Sequence, residues 1–284
     1  MTPCTKTVSI IAIVWCTLSA AYARERHHAT PEQFWQDYSL ADTTQACQDS
    51  IRKHFPDFLR LLEQADSTTA DKAVASFICP SRATPKGKAL LNELTEYHLG
   101  HPRSALRNDK TYAFFLKHII AQNSDETEAS RLRFLLGEIS KNQPGTTAND
   151  LIFTTDGGKQ GTLHKTPALW TVLYFSDPTC STCHRLLPQA LESPVMRSDS
   201  IQVIMVYPDD DKTAWDNSLH ALPDEWLDTW APHAREQYYL PALPALYLLD
   251  REKKVVLKDA SLEQISNYLS RRAERKAAQG KIFP

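Results

Sequence analysis

The sequence predicts an α/β domain preceded by an all-helical one. From Thr30 to about Lys141 apolar residues recur every three to four positions, and no alternating β-branched run competes with them. After a break rich in turn formers, Lys141-Asn142-Gln143-Pro144-Gly145-Thr146-Thr147, short β-rich runs alternate with helical ones. Strand, helix, strand, hairpin, helix is an arrangement around one sheet. Hydrophobic residues are 42% and charged residues 23% of the 284, the balance of a globular chain.

The first 23 residues stand apart. Lys6 precedes an apolar run from Val8 to Ala20, which closes at Ala21-Tyr22-Ala23. A positive start, a short apolar core and an A-x-A end form the pattern of an export signal, here expected to be cleaved after Ala23. The run is shorter than the ~20 residues a spanning helix needs. Cys16 lies inside the apolar core behind Trp15, which argues against lipid attachment there. The expected product is exported to the periplasm or another envelope compartment, with no stable membrane insertion. Its new tail carries His27-His28, read as solvated residues in preference to metal ligands.

Charge and glycine exclude some functions. The formal net charge of −2 offers no overall basic field for nucleic acid. Glycine numbers only 8, and neither GxGxxG nor GxxxxGK occurs, so the phosphate cradles of dinucleotide and P-loop sites are unsupported. No cofactor and no metal is expected. Beyond the signal four cysteines remain: Cys47, Cys79, Cys180 and Cys183. An even count in an exported protein points to disulfides.

The helical domain is placed at residues 24–141. Thr30-Pro31-Glu32-Gln33 reads as an N-cap, a proline at the first helical position and a capping-box glutamine. Apolar stripes follow in Ile51, Phe55, Phe58, Leu59 and Leu62, in Leu90, Leu91, Leu94 and Tyr97, in Tyr112, Phe115, Leu116 and Ile119, and in Leu132, Leu135, Leu136 and Ile139. Four to six short helices are expected. Cys47 and Cys79 each fall near the end of one, and an oxidising compartment would bridge them. Closing that loop stabilises by about 3–4 kcal/mol on a chain-entropy argument; two free buried thiols are the alternative.

The second domain, residues 142–284, begins with a short strand at Leu151-Ile152-Phe153 and a turn at Asp156-Gly157-Gly158. Trp170 to Phe175 and Ile201 to Tyr207 read as buried strands. Ala245 to Asp250 and Lys254 to Leu257 form a hairpin, and Ser261 opens a last helix. A helix starts near Cys180, directly after the first buried strand. Cysteines spaced i, i+3 on a first helical turn close a small ring with little backbone motion. Unpaired N–H groups and the macrodipole at the helix start favour a negative sulfur on Cys180. Cys183, one turn in and more buried, resolves the mixed disulfide that Cys180 begins.

This strand–CxxC–helix unit, Tyr174 to His184, resembles the thioredoxin superfamily, nearest to its exported TlpA/ResA-like branch. Tyr239-Leu240-Pro241-Ala242-Leu243-Pro244 resembles the stretch that carries the family's cis-proline, and 141–153 resembles its entry segment. The resemblance covers roughly residues 141–270. It implies a thioredoxin fold, a central mixed sheet flanked by helices, and a redox-active Cys180–Cys183 disulfide. It also implies that Leu243 and Pro244 position substrate in the cis-proline loop. The implied partners are disulfide-containing client proteins and a thiol electron donor, and the implied direction is reduction.

Three departures accompany it. Thr179 stands where thioredoxin has a tryptophan. Tyr174 stands where it has a buried acid, so the proton acceptor for Cys183 is unassigned. An insertion near 209–238, with Trp215, Trp226 and Trp230, is read as a helical insert packed by its own aromatics or as a lid beside the cysteines. Other functions compete with this one. Cys180-Ser181-Thr182-Cys183-His184 also spells the CxxCH haem-attachment motif, but the flanking strand and the Leu243-Pro244 stretch have no purpose in a haem carrier. A partner-binding module would use the helical domain for docking and the cysteines as a staple, yet a CxxC on one helical turn staples almost nothing.

Overall fold

A computed structural model describes residues 30–218 and 222–280. The segment read as an export signal, with Cys4 and Cys16, and His27-His28 lie outside the described residues. The chain divides into two compact units that part between Leu99 and Gly100.

The first unit is helical. Thr30-Pro31 starts only a 3-10 turn, Pro31–Gln33, without the expected side-chain cap. Three helices follow: α1 (Gln45–Gln64), α2 (Ser67–Ser81) and α3 (Pro85–Thr95). Asp66 caps α2 by accepting from the N–H groups of Thr68 and Thr69, and Thr84 caps α3 through Gly87 N–H. α1 runs on through Pro56 and buries the anticipated stripe of Ile51, Phe55, Phe58, Leu59 and Leu62. The core is aromatic: Trp35 stacks on Phe77 at 4.9 Å and Phe34 packs on Phe58 at 5.5 Å. Gly87 is required where it stands, because a Cβ there would come within 2.1 Å of Ser81 O. Tyr97, expected on an apolar stripe, is exposed instead.

The expected Cys47–Cys79 bridge is not formed. Both are free thiols. Cys47 Sγ turns back to donate to Ser39 O at 3.2 Å, and Cys79 lies on the exposed side of α2 between inward-facing Ile78 and Ser81.

The second unit opens with α4 (Asp109–Ala121) and α5 (Glu126–Ile139), then builds one seven-stranded sheet. Its strands are β1 (Ile152–Thr155), β2 (Gln160–Thr162), β3 (Trp170–Phe175), β4 (Ile201–Tyr207), β5 (Leu227–Trp230), β6 (Ala245–Leu249) and β7 (Val255–Leu257). Helix α6 (Ser181–Glu192) joins β3 to β4, and short α7 (Lys212–Asp216) and α8 (Ala234–Gln237) flank β5. The last helix is α9 (Leu262–Gly280). Strand order is β2-β1-β5-β4-β3-β6-β7, with β4 parallel to β3 and β5, and β6 antiparallel to β3. Period-two alternation splits β3 cleanly. Leu173 and Phe175 enter a core with Ile204, Val206 and Tyr247; Val172 and Tyr174 enter another with Met205, Leu248, Ile265 of α9 and Leu187 and Ala190 of α6.

Two features differ from the sequence expectation. The 209–238 insertion supplies a strand, β5, wedged between β1 and β4, in addition to two short helices. Only four residues long, it has too little pattern to stand out. The compact units also part some forty residues before the compositional break near 141. Charges explain the difference. Arg107 pairs with Asp259, Lys258 Nζ pairs with Asp109 at 2.7 Å, and the same ammonium donates to the carbonyls of Ile139 and Lys141 at 2.9 Å. These bonds tie α4 and α5 to the segment after β7, and an apolar pattern cannot show them. Among the described residues no helix is long and apolar enough to cross a membrane.

Candidate active site

Strand β3 delivers Ser176 at its end, and Asp177-Pro178-Thr179 then turns the chain into α6. The turn is local chemistry: Asp177 Oδ1 accepts from both the N–H and the hydroxyl of Thr179 at 2.6 Å, and Cys180 N–H reaches Asp177 O at 3.1 Å. Cys180 is the N-cap of α6. Its backbone is extended (φ −81°, ψ 109°), and its Sγ accepts from Cys183 N–H at 3.2 Å, as a capping oxygen would. The anticipated helix-start setting is therefore present, with one otherwise unpaired N–H pointed at the sulfur.

Across from it the Leu243–Pro244 peptide is cis, as anticipated for Pro244. Cys180 Sγ lies 3.5 Å from Leu243 O, in donor geometry. Cys180, Cys183, Leu243 and Pro244, separated by some sixty residues of chain, thus form one constellation. Cys180 is half-buried, whereas Cys183 is 2% exposed. His184, the last residue of the CxxCH spelling, turns its Nε2 to Pro178 O.

Cys183 has a polar cradle that sequence reasoning missed. The Cys180 thiol, the Asp177 backbone and Ser176 all act on the proton affinity of its sulfur. Burial first, then the Cys180 thiol, raises its pKa; the N–H and the hydroxyl pull the other way and lose. Ser176 follows Tyr174 by two and so shares its face of β3, a signal legible in the strand period. Tyr174 is fully buried beneath α6, and its hydroxyl has no hydrogen-bond partner. Burial, then the two sulfurs, holds that phenol protonated. Cys47 and Cys79 belong to the helical unit.

Comparison with known proteins agrees with this fold. A crystal structure of a thioredoxin-like protein from Bacteroides caccae matches with a TM-score of 0.78 and 27% identity, over 84% of this chain and 90% of that one. The C-terminal domain of an uncharacterized Bacteroides fragilis protein is 33% identical over 46% of this chain and 99% of that one, with a TM-score of 0.44. The thioredoxin domain of a thiol-disulfide oxidoreductase from Bacteroides vulgatus is 18% identical over 45% of this chain and 96% of that one, with a TM-score of 0.41. No protein-family model matches the sequence, and no curated protein is similar to it. A dithiol at a helix start beside a cis-proline, carried on a mixed sheet, is an arrangement consistent with a thioredoxin-like fold. The chain shares the fold of the thioredoxin-like protein from Bacteroides caccae.

Proposed function

We propose that this chain is exported and exchanges disulfides of envelope proteins through Cys180 and Cys183, with reduction as its working direction. The observation that carries the reading is the position of Cys180 Sγ, which accepts Cys183 N–H while lying 3.5 Å from Leu243 O. A half-buried sulfur at a helix start is within reach of a client disulfide. In the proposed cycle it attacks a client disulfide, and one client sulfur leaves as thiolate. Cys183 then attacks Cys180 Sγ, the mixed disulfide breaks, and the second client sulfur leaves. A thiol donor afterwards reduces the Cys180–Cys183 bond. Leu243 and Pro244 hold the client backbone beside the reacting sulfurs.

Replacing Cys180 with Ser is expected to abolish reduction of insulin disulfides, while Cys183→Ser accumulates mixed disulfides on Cys180. Full activity in the Cys180→Ser protein would remove the assignment. Direction is read from the potential of the pair: a value near about −270 mV supports a reductase and one near about −120 mV an oxidase.

A further inference from the structure

Residues 238–244 run between α8 and β6 and belong to neither helix nor strand. No ladder holds their backbone, and side chains supply the donors instead. Asn142 Nδ2 and Asn149 Nδ2 both donate to Gln237 O at 2.8 Å, and the Tyr247 hydroxyl donates to Tyr239 O at 3.3 Å. Arg235 Nη1 donates to Leu240 O at 3.1 Å. Of these four supports, Arg235 acts nearest the Leu243-Pro244 end of the segment, and it alone comes from the insertion near 209–238.

Arg235 is itself fixed. Its Nε donates to Asp209 Oδ1 and its Nη2 to Asp209 Oδ2 at 3.1 Å, a two-point fork that a guanidinium makes and an ammonium cannot. Trp230 Nε1 of β5 donates to Asp209 O at 2.9 Å and holds the other side of that residue. Asp209 follows β4 by two residues and Arg235 lies in α8, so the pair clasps the two ends of the insertion together. The remaining guanidinium nitrogen is the one that reaches Leu240 O. With side-chain exposures of 43% and 32%, the pair is too open to water to carry much of the stability of the fold. What it contributes is a fixed point three residues before Leu243, whose carbonyl lies 3.5 Å from Cys180 Sγ.

Resting on the exchange reading above, we propose that Arg235, clasped by Asp209, is a positioning residue that sets the 240–244 loop against Cys180 and so fits the site to disulfides carried on an extended peptide. A small disulfide needs only the sulfur of Cys180. A peptide disulfide also needs the loop, because its backbone lies along Leu243 and Pro244 when its sulfur meets Cys180. Displacing the loop therefore penalises the peptide disulfide and spares the small one.

The test compares two disulfides on the full-length reduced protein. Insulin or 2-hydroxyethyl disulfide is added, the reaction is acid-quenched at intervals, and formation of the Cys180–Cys183 disulfide is followed by mass spectrometry. Arg235→Met is expected to lower the ratio of the insulin rate to the 2-hydroxyethyl disulfide rate by about tenfold. Asp209→Asn frees Arg235 but keeps the backbone carbonyl that Trp230 uses, and it should lower the ratio less. The double variant should match Arg235→Met alone, because the two residues act as one device. Arg235→Lys, which keeps a charge and a donor without the fork, should recover part of the ratio. An unaltered ratio in Arg235→Met overturns the proposal, whether neither rate falls or both fall by the same factor. Additive losses in the double variant overturn it too, since the residues would then act separately. If the unaltered protein forms no Cys180–Cys183 disulfide with either probe, the exchange reading itself fails, and this outcome is distinct from the others.

Discussion

At the scale of single residues, two cysteines three positions apart meet opposite environments. Cys180 caps a helix at the surface, and Cys183 lies beneath it against β3. The raised pKa of Cys183 has a definite sign. The folded protein holds this proton more tightly than the unfolded chain does, so the contribution is fully present below the ordinary thiol range and is lost as pH rises through the folded value. Iodoacetamide at about pH 8 is therefore expected to label Cys180 and spare Cys183. Unfolding in urea should equalise the two, and equal labelling in the folded protein would contradict the cradle. Both cysteines, the cis-proline and the unusual Tyr174 were legible in the sequence. Ser176 was within reach of the strand period, two residues after Tyr174.

At the scale of elements, capping sets most helix starts. Asn108 is half-buried and accepts from Thr111 N–H at 3.0 Å, opening α4 just after Arg107. Asn108→Ala should cost about 1 kcal/mol, with faster hydrogen exchange in the first turn of α4. Unchanged exchange there would mean that tertiary packing alone holds this end. β3, β4 and α6 were readable almost to the residue: long apolar strands and a helix flagged by CxxC carry strong signals. β5 was not, since Leu227-Asp228-Thr229-Trp230 alternates too briefly and becomes a strand only by pairing on both sides with β1 and β4.

At the scale of the whole molecule, the division into units rests on buried charge. Arg107 faces Asp259 and Asp109, with side-chain exposures of 12%, 20% and 11%. Removing one partner of such a group leaves charge buried without compensation. Arg107→Met is expected to destabilise by about 3–5 kcal/mol in urea unfolding, at neutral pH. Burial raises the pKa of Asp259 against the opposing pull of Arg107. The folded state therefore favours protonated Asp259, a contribution present at acid pH and lost as pH rises through the folded value. The Arg107→Met defect should accordingly shrink toward about pH 4, near the ordinary carboxylate range. A defect that grows in acid would show that Asp259 is not the group left exposed to cost.

What the sequence determined by itself was local: helix and strand periods, the turn-rich break, and a CxxC at a helix start, all set by neighbours within a few residues. The tertiary structure alone decided what long-range pairing creates. It joined Leu243 to Cys180, seated β5 between β1 and β4, and used Arg107 and Lys258 to bind α4 and α5 to the sheet unit. Each of these depends on two segments meeting in space, and no periodicity within either segment encodes its partner.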